Sequence, residues 1–292
     1  MREIIDEVIR LLKDGMDGVV IETRKVTKNN NQVRMGVCVR PEDGMVGAMY
    51  YIDQMVEEGW TEADIAEHIS SMYRKHYDAG VETVKSYFVD YGSVKEFLGL
   101  QLVHRDRNVG MLAGMPFKKF LDLAVIITAG IPMRGGSHAG RAAVKVDNTL
   151  VKMWGKDAEE VYAQALENFR GEKTRVMEMG SLLAEAGYMP ALDGEGCPPM
   201  YIMTSQDGLH GASRLLDGDA VRGLAGRLGT DLAMLPSSIH EAIFIPLLEG
   251  ADIQELSAIV QMVNSSDVVP EEVLSDHAYI YRLKTGWEYS EN

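Results

Sequence analysis

Hydrophobic residues recur along this chain with two distinct periods, and the periods divide it into elements. Ile4, Ile5, Val8, Leu11 and Leu12 share one face of a helical repeat, with acids and bases between them, which predicts an amphipathic helix over residues 1–15. Residues 19–27 and 32–40 read as two strands joined by Lys28-Asn-Asn-Asn, a composition that tolerates positive φ and so predicts a hairpin. A third apolar run covers residues 45–52. Thr61 followed by Asp64, with Trp60 and Ile65 flanking, marks a capped helix start, and Ile65, Ile69, Met72 and Tyr73 carry it to about His76.

The middle of the chain is more ambiguous. Residues 94–103 read as a helix, and 120–131 as one buried strand with apolar residues on both faces. A Gly-rich loop at 132–140 leads to a strand at 142–146. Asp157 caps a helix to about Phe169 whose inner face is Val161, Tyr162, Ala165, Leu166 and Phe169. Residues 175–186 and 212–228 read as helical, and 200–204 as a strand. Residues 231–235 and 242–247 read as a strand pair, Asp252 and Glu255 as a capping box for a helix to Asn264, and 278–283 as a last strand.

The order strand, strand, helix recurs near residues 19–76, 121–169 and 231–264 without shared residues. It predicts an α+β fold: antiparallel sheets built from strand-strand-helix units, with helices packed on one face. The expected division is an N-terminal α+β region at 1–92 and a C-terminal one at 93–292, with a possible further boundary in the Gly/Pro-rich stretch 192–199.

Composition narrows the class. The chain has 292 residues, 46% hydrophobic and 25% charged, enough for real cores and against extended disorder. The first fifteen residues are broken by Glu3, Asp6 and Glu7, unlike a secretory leader, and apolar runs such as 123–127 fall far short of a bilayer span. A cytoplasmic protein is expected. Two cysteines, Cys38 and Cys197, read as free thiols and cannot build a cysteine zinc site.

The net charge of −15 is uneven. Residues 231–292 hold eleven acids and two bases, residues 101–156 nine bases and three acids, and residues 24–40 five bases and no acid. The total argues against a nucleic-acid binder, and the acidic C-terminal part points to a basic protein partner.

Four segments invite chemistry. Gly135 to Arg141 approaches a phosphate loop, but Arg141 stands for the lysine, Ala142 for the hydroxyl, and a strand is expected where a helix is required, so a nucleotide site is rejected. Arg134, His138 and Arg141 leave only weak anion binding, and an exposed β-connection is preferred. His104-Arg-Asp begins like a kinase catalytic loop with no other kinase element, and reads as chance.

Leu235-Pro-Ser-Ser-Ile-His-Glu supplies Ser237, Ser238, His240 and Glu241, the parts of a nucleophilic triad, without a nucleophile elbow. Serines that cap a turn explain the same residues. Ser275-Asp-His adds Asp276 and His277 as an orienter and a base, or as metal ligands with His240. Neighbours on a strand face opposite ways, and no helical His pair is present, so neither a metal nor a cofactor is expected.

Several of these segments, taken together, resemble a known family. Arg24-Lys-Val-Thr-Lys-Asn-Asn, Phe120-Leu-Asp-Leu-Ala-Val, Leu150-Val-Lys-Met-Trp-Gly, Leu235-Pro-Ser-Ser-Ile-His-Glu and Val273-Leu-Ser-Asp-His-Ala-Tyr resemble, in order and over nearly the whole chain, a bacterial family catalogued as domain of unknown function 5688. The loop at 132–141 departs from the shorter connection expected of it, which argues against a family-wide role for Arg134 or Arg141. The resemblance implies no activity, substrate or cofactor.

Two functions follow as expectations. The first is a non-enzymatic protein-binding module with an acidic C-terminal surface. The second is a hydrolase-like enzyme with Ser237 or Ser238 as nucleophile, His240 or His277 as base, and Asp276 or Glu241 as orienter.

Overall fold

The computed structural model describes residues 2–42, 47–78, 90–130, 143–185, 187 and 198–288. The chain divides into two compact units, Met1–Val94 and Lys95–Asn292.

In the first unit, α1 (Arg2–Gly15) is followed by an antiparallel sheet of β1 (Val19–Thr27), β2 (Val33–Pro41) and β3 (Ala48–Tyr51), in that spatial order. The β1–β2 register closes at Thr27 opposite Val33, and the turn is made possible by Asn30 and Asn31 at φ 59° and 57°. Helices α2 (Ile52–Glu57), α3 (Glu62–Asp78) and α4 (Tyr91–Val94) follow. The start of α3 is locked reciprocally: Thr61 Oγ1 accepts from Asp64 N at 3.2 Å, and the Asp64 carboxylate accepts from Thr61 N at 3.2 Å. Ile5, Val8 and Leu12 of α1 meet Val37 and Val39 of β2 and Ile65 and Ile69 of α3 in one buried cluster.

The second unit contains two sheets. In the smaller, β6 (Leu123–Gly130) is central and pairs antiparallel with β4 (Leu98–His104), β5 (Phe117–Phe120) and β7 (Ala143–Lys145); the one-turn helix α5 (Val109–Leu112) lies between β4 and β5 in sequence. Helices α6 (Asn148–Met153) and α7 (Ala158–Gly171) follow, the latter with a complete Asp157/Glu160 capping box. The larger sheet has the order β13-β12-β10-β11-β9-β8, wholly antiparallel, from β8 (Arg175–Glu178), β9 (Tyr201–Thr204), β10 (Leu232–Leu235), β11 (Ala242–Pro246), β12 (Tyr279–Arg282) and β13 (Gly286–Glu288). Helices α8 (Met179–Glu185), α9 (Gly218–Leu228) and α10 (Ile253–Ser266) and a 310 segment at Gly211–Leu216 complete the unit. The fold is α+β with antiparallel sheets, as the strand-strand-helix order predicts.

Three local expectations are corrected. Residues 98–103, expected within a helix over 94–103, belong to β4: Leu98, Leu100 and Leu102 alternate with Gln101 and Val103, and all five are buried. A short run buried on both faces has no period to separate strand from helix. Phe120 ends β5, because the chain reverses at Leu121 with φ 55° before β6 begins. Residues 175–178 are a strand, and the expected helix starts only at Met179. The Gly-rich loop with Arg134, His138 and Arg141, Cys197, and most of the stretch 192–199 lie outside the described residues.

Candidate functional site

Ser237, Ser238, His240 and Glu241 occupy the turn between β10 and β11. Ser238 Oγ accepts from the His240 amide at 3.0 Å, and Ser238 N donates to Glu241 O at 3.3 Å. Ser237 Oγ donates to Glu241 Oε1 at 3.4 Å. Neither serine oxygen is hydrogen-bonded to an imidazole; both satisfy the turn, the behaviour expected of serines beside free backbone groups. His240 Nδ1 accepts from His210 N at 3.2 Å, which places the ring proton on Nε2, 3.6 Å from Glu272 Oε1.

Asp276 and His277 belong to a different cluster. His277 Nδ1 lies 3.1 Å from Ser275 Oγ, and its Nε2 lies 3.4 Å from Asp122 Oδ2. Asp122 Oδ1 accepts from the Tyr279 hydroxyl at 2.6 Å. Acid, imidazole and hydroxyl therefore stand in relay order, but Ser275 is completely buried, so no substrate reaches its oxygen. Asp276 pairs with Arg107 and accepts from Asn264 Nδ2 at 2.9 Å. These contacts tie β12 and α10 to the β4 and β5 ends of the smaller sheet. His104, at the end of β4, is held below the ordinary imidazole range by burial and by the Arg107 charge, against the pull of Asp122, Asp106 and Asp276.

The second unit also holds a cleft of about 390 Å3. Its walls come from the start of β4, the end of β6, Ala143, the C-terminal end of α7, and the segment between β9 and the end of the 310 turn. Arg214, 2% exposed, braces one wall: Nη1 donates to the carbonyls of Phe169 at 2.9 Å and Glu172 at 3.1 Å, Nη2 pairs with the Glu172 carboxylate, and the guanidinium lies over the Phe169 ring at 4.1 Å. Burial pulls the guanidinium below its ordinary pKa, opposed by Glu172 and Asp217. Asp207 shapes the neighbouring loop by accepting from Ser205 Oγ at 2.9 Å and Leu209 N at 3.1 Å.

His210 lines the same cleft in the left-handed conformation, its ring stacked 5.8 Å from that of His240. Its pKa is pushed down to about 4, by burial first and then by His240 and Lys145, against Asp207. Unfolded, the imidazole returns to about 6.5, so between these values the unfolded chain binds the extra proton. Stability is thus complete above pH 6.5 and falls as pH drops towards 4, by about 3 kcal/mol from this group. His210→Asn keeps a residue that tolerates positive φ and is expected to flatten the urea-unfolding free energy over that interval. An unchanged slope would contradict the assignment.

Helix α10 presents the remaining feature. Among its residues only Val260 is buried. Its inward side carries buried Val260 and half-buried Ile253 and Leu256 together with two polar contacts: Ser257 Oγ accepts from Ala278 N at 3.0 Å, and Asn264 Nδ2 donates to Ser275 O at 2.8 Å and to Asp276. Its outward face carries Ile259, Met262 and Val263, 48%, 63% and 37% exposed, at i, i+3 and i+4, with Val269 exposed just beyond. An ordinary surface helix keeps its outward face polar. Residues 249–272 around it contain six acids and no base.

The family model described as Family of unknown function (DUF5688) matches residues 1–283. The chain belongs to this family. No curated protein matches it, and no solved structure does. Sequence reasoning reached the family and the two polar segments. It missed Asp122, His210 and Arg214, which enter their clusters from distant segments, and gave Ser275 no role within the Ser-Asp-His segment. The one available signal was a charged Arg214 next to Leu215 and Leu216 in the short run Gly211–Leu216. Among the described residues no group of three or more His, Cys, Asp or Glu could hold a metal ion, and no helix is long and apolar enough to cross a membrane.

Proposed function

We propose that this protein is a binding module that docks a basic, amphipathic segment of another protein on the outer face of α10. The supporting observation is the apolar stripe that this helix exposes in addition to its inward face. Five of the twelve large hydrophobic side chains exposed among the described residues, Leu248, Ile259, Met262, Val263 and Val269, fall within residues 248–269. Helix-in-groove and helix-on-helix recognition use such i, i+3, i+4 anchors.

The rim decides the occupant. Residues 249–272, which include the stripe, hold Glu249, Asp252, Glu255, Asp267, Glu271 and Glu272 and no Lys or Arg, while Arg282 lies by Glu249 and Asp252 at one end. A second copy would set these carboxylates against themselves, and an anionic lipid surface would be repelled in the same way. A partner with apolar residues on one helical face and lysines or arginines beside them satisfies both features. The hydrolase alternative has less support: the serines of the β10–β11 turn bond within it, and the hydroxyl that does meet an imidazole is Ser275, which is buried.

The test uses a synthetic helical peptide of leucines and lysines, with its leucine–glutamate counterpart as control, read by fluorescence anisotropy against the full chain. The lysine peptide is expected to bind, to weaken with rising salt, and to lose at least tenfold in affinity with Ile259→Ser and Met262→Ser. A tenfold loss is about 1.4 kcal/mol, within what two partly buried anchors supply. Equal binding of both peptides, no loss in the variants, or a dimer in gel filtration that Met262→Ser dissociates would overturn the proposal.

A further inference from the structure

Strand β1 is an edge of the first unit's sheet: β2 pairs with it on one side, and among the described residues no strand pairs with it on the other. An edge strand presents a row of unpaired N–H and C=O groups, and folded proteins guard such rows with short length, bulges, proline or charge. The first three guards are missing here. β1 runs for nine residues, where about five or six is usual. Its register with β2 is unbroken from Val19 opposite Pro41 to Thr27 opposite Val33, and it contains no proline. Thr23, Arg24 and Lys25 at its middle are exposed.

Charge is the remaining guard, and its order decides what can pair with this edge. Side chains alternate between the two faces of a strand. Ile21 belongs to the buried cluster with Val37 and Val39, so Thr23 and Lys25 share the face on which the helices pack. Val20, Glu22, Arg24 and Val26 share the opposite face, where Arg24 Nη2 lies 3.1 Å from Glu22 Oε2.

A second β1 laid antiparallel along this edge can be centred on different residues. A two-fold axis at Glu22 sets the two Glu22 carboxylates against each other, and an axis at Arg24 does the same to the guanidinium groups. Like charges directly opposite destabilise a pair of strands. An axis at Thr23 instead places Glu22 of each copy opposite Arg24 of the other, Val20 opposite Val26, and Thr23 opposite Thr23. On the helix side Lys25 then lies opposite Ile21, which its alkyl stem can cover. Opposite-charge, β-branched and Thr–Thr pairs each stabilise a sheet. The segment Val20-Ile-Glu-Thr-Arg-Lys-Val is thus complementary to itself read in reverse. Such a contact is isologous and closes at two copies.

We propose that β1 is a dimerisation edge: two copies of this chain pair antiparallel through β1, with Thr23 at the two-fold axis, and join their N-terminal sheets into one. This interface is separate from the α10 face and does not rest on it.

Sedimentation velocity of the full chain from about 1 μM to 1 mM tests this. A reversible monomer–dimer equilibrium is expected. Glu22→Arg and Arg24→Glu change side chains that are 42% and 57% exposed, so the monomer fold tolerates them. Each turns two attractive pairs repulsive and is expected to raise the dissociation constant at least about tenfold. Mixed in equal amounts, the two variants restore opposite charges at both positions, and a heterodimer of near wild-type strength is expected. Thr23→Cys brings two Cα atoms to about 4.5–5.5 Å across the axis, within reach of a disulfide, so oxidation is expected to give a covalent dimer. Lys25→Cys leaves the thiols about 13 Å apart along the strands and is expected not to cross-link. Met262→Ser on α10 is expected to leave the dimer unchanged. A monomer at every concentration, a dimer that neither charge variant weakens, or cross-linking through Lys25→Cys in place of Thr23→Cys would overturn the proposal.

Discussion

Replacing Arg214 with alanine is expected to cost about 4 kcal/mol of stability, because the nearly buried guanidinium satisfies three acceptors at once. The carbonyls of Phe169 and Glu172 lose a charged donor where α7 ends, and the Phe169 ring loses the group stacked on it. Glu172 contributes less, since its side chain is half exposed and can be rehydrated. Burial opposes the arginine, as its lowered pKa records, so its net effect is smaller than the sum of its bonds. Arg214→Met separates these contributions: it keeps most of the volume over Phe169 and loses only the donors, with an expected cost of about 2–3 kcal/mol. Urea midpoints at constant m-value measure both. A methionine variant as stable as the wild type would mean that desolvation cancels the hydrogen bonds, and that this wall of the cleft is held by packing alone.

The second large effect is expected at Gly211. A Cβ there would overlap Thr204 Oγ1 and His240 O and lie 2.6 Å from Ser205 N. Two of these atoms are backbone, and the third is fixed by its own 2.8 Å hydrogen bond to His240 O, so none can step aside. Gly211→Ala is therefore expected to lose about 3 kcal/mol, the upper range for a single added methyl group in a packed site. The neighbouring helix supplies the control. Gly223 in α9 has open space around its would-be Cβ, and Gly223→Ala should stabilise by about 0.5–1 kcal/mol. Thermal or urea unfolding of the pair decides. Similar effects at both positions would contradict the close approach of the 310 turn to β9 and to the β10–β11 turn.

These two residues also mark where sequence reading stops. The N-terminal helix, the Asn-rich hairpin and the caps at Thr61 and Asp157 were legible because each depends on residues within one turn of the chain. Residues 98–104 were not, since a strand buried on both faces loses the alternation that identifies it. The cleft was illegible for another reason: Thr128 on β6, Asp207 and His210 in a loop, and Arg214 in a 310 turn share no local pattern. Helix α10 was half legible. Its start at Asp252 was marked, although Asp252 caps through Gln254 N at 2.8 Å, while the exposure of Ile259, Met262 and Val263 depends on how the helix is rotated by its contacts through Ser257, Val260 and Asn264.

The outward apolar face of α10 is the central claim, and a hydrogen-exchange footprint of the bound peptide tests it most directly. With the leucine–lysine peptide at saturation, the account predicts slowed exchange across residues 253–269 and little change in the β10–β11 turn or in α1 and α3. Protection concentrated elsewhere, with residues 253–269 exchanging as in the free protein, would contradict it.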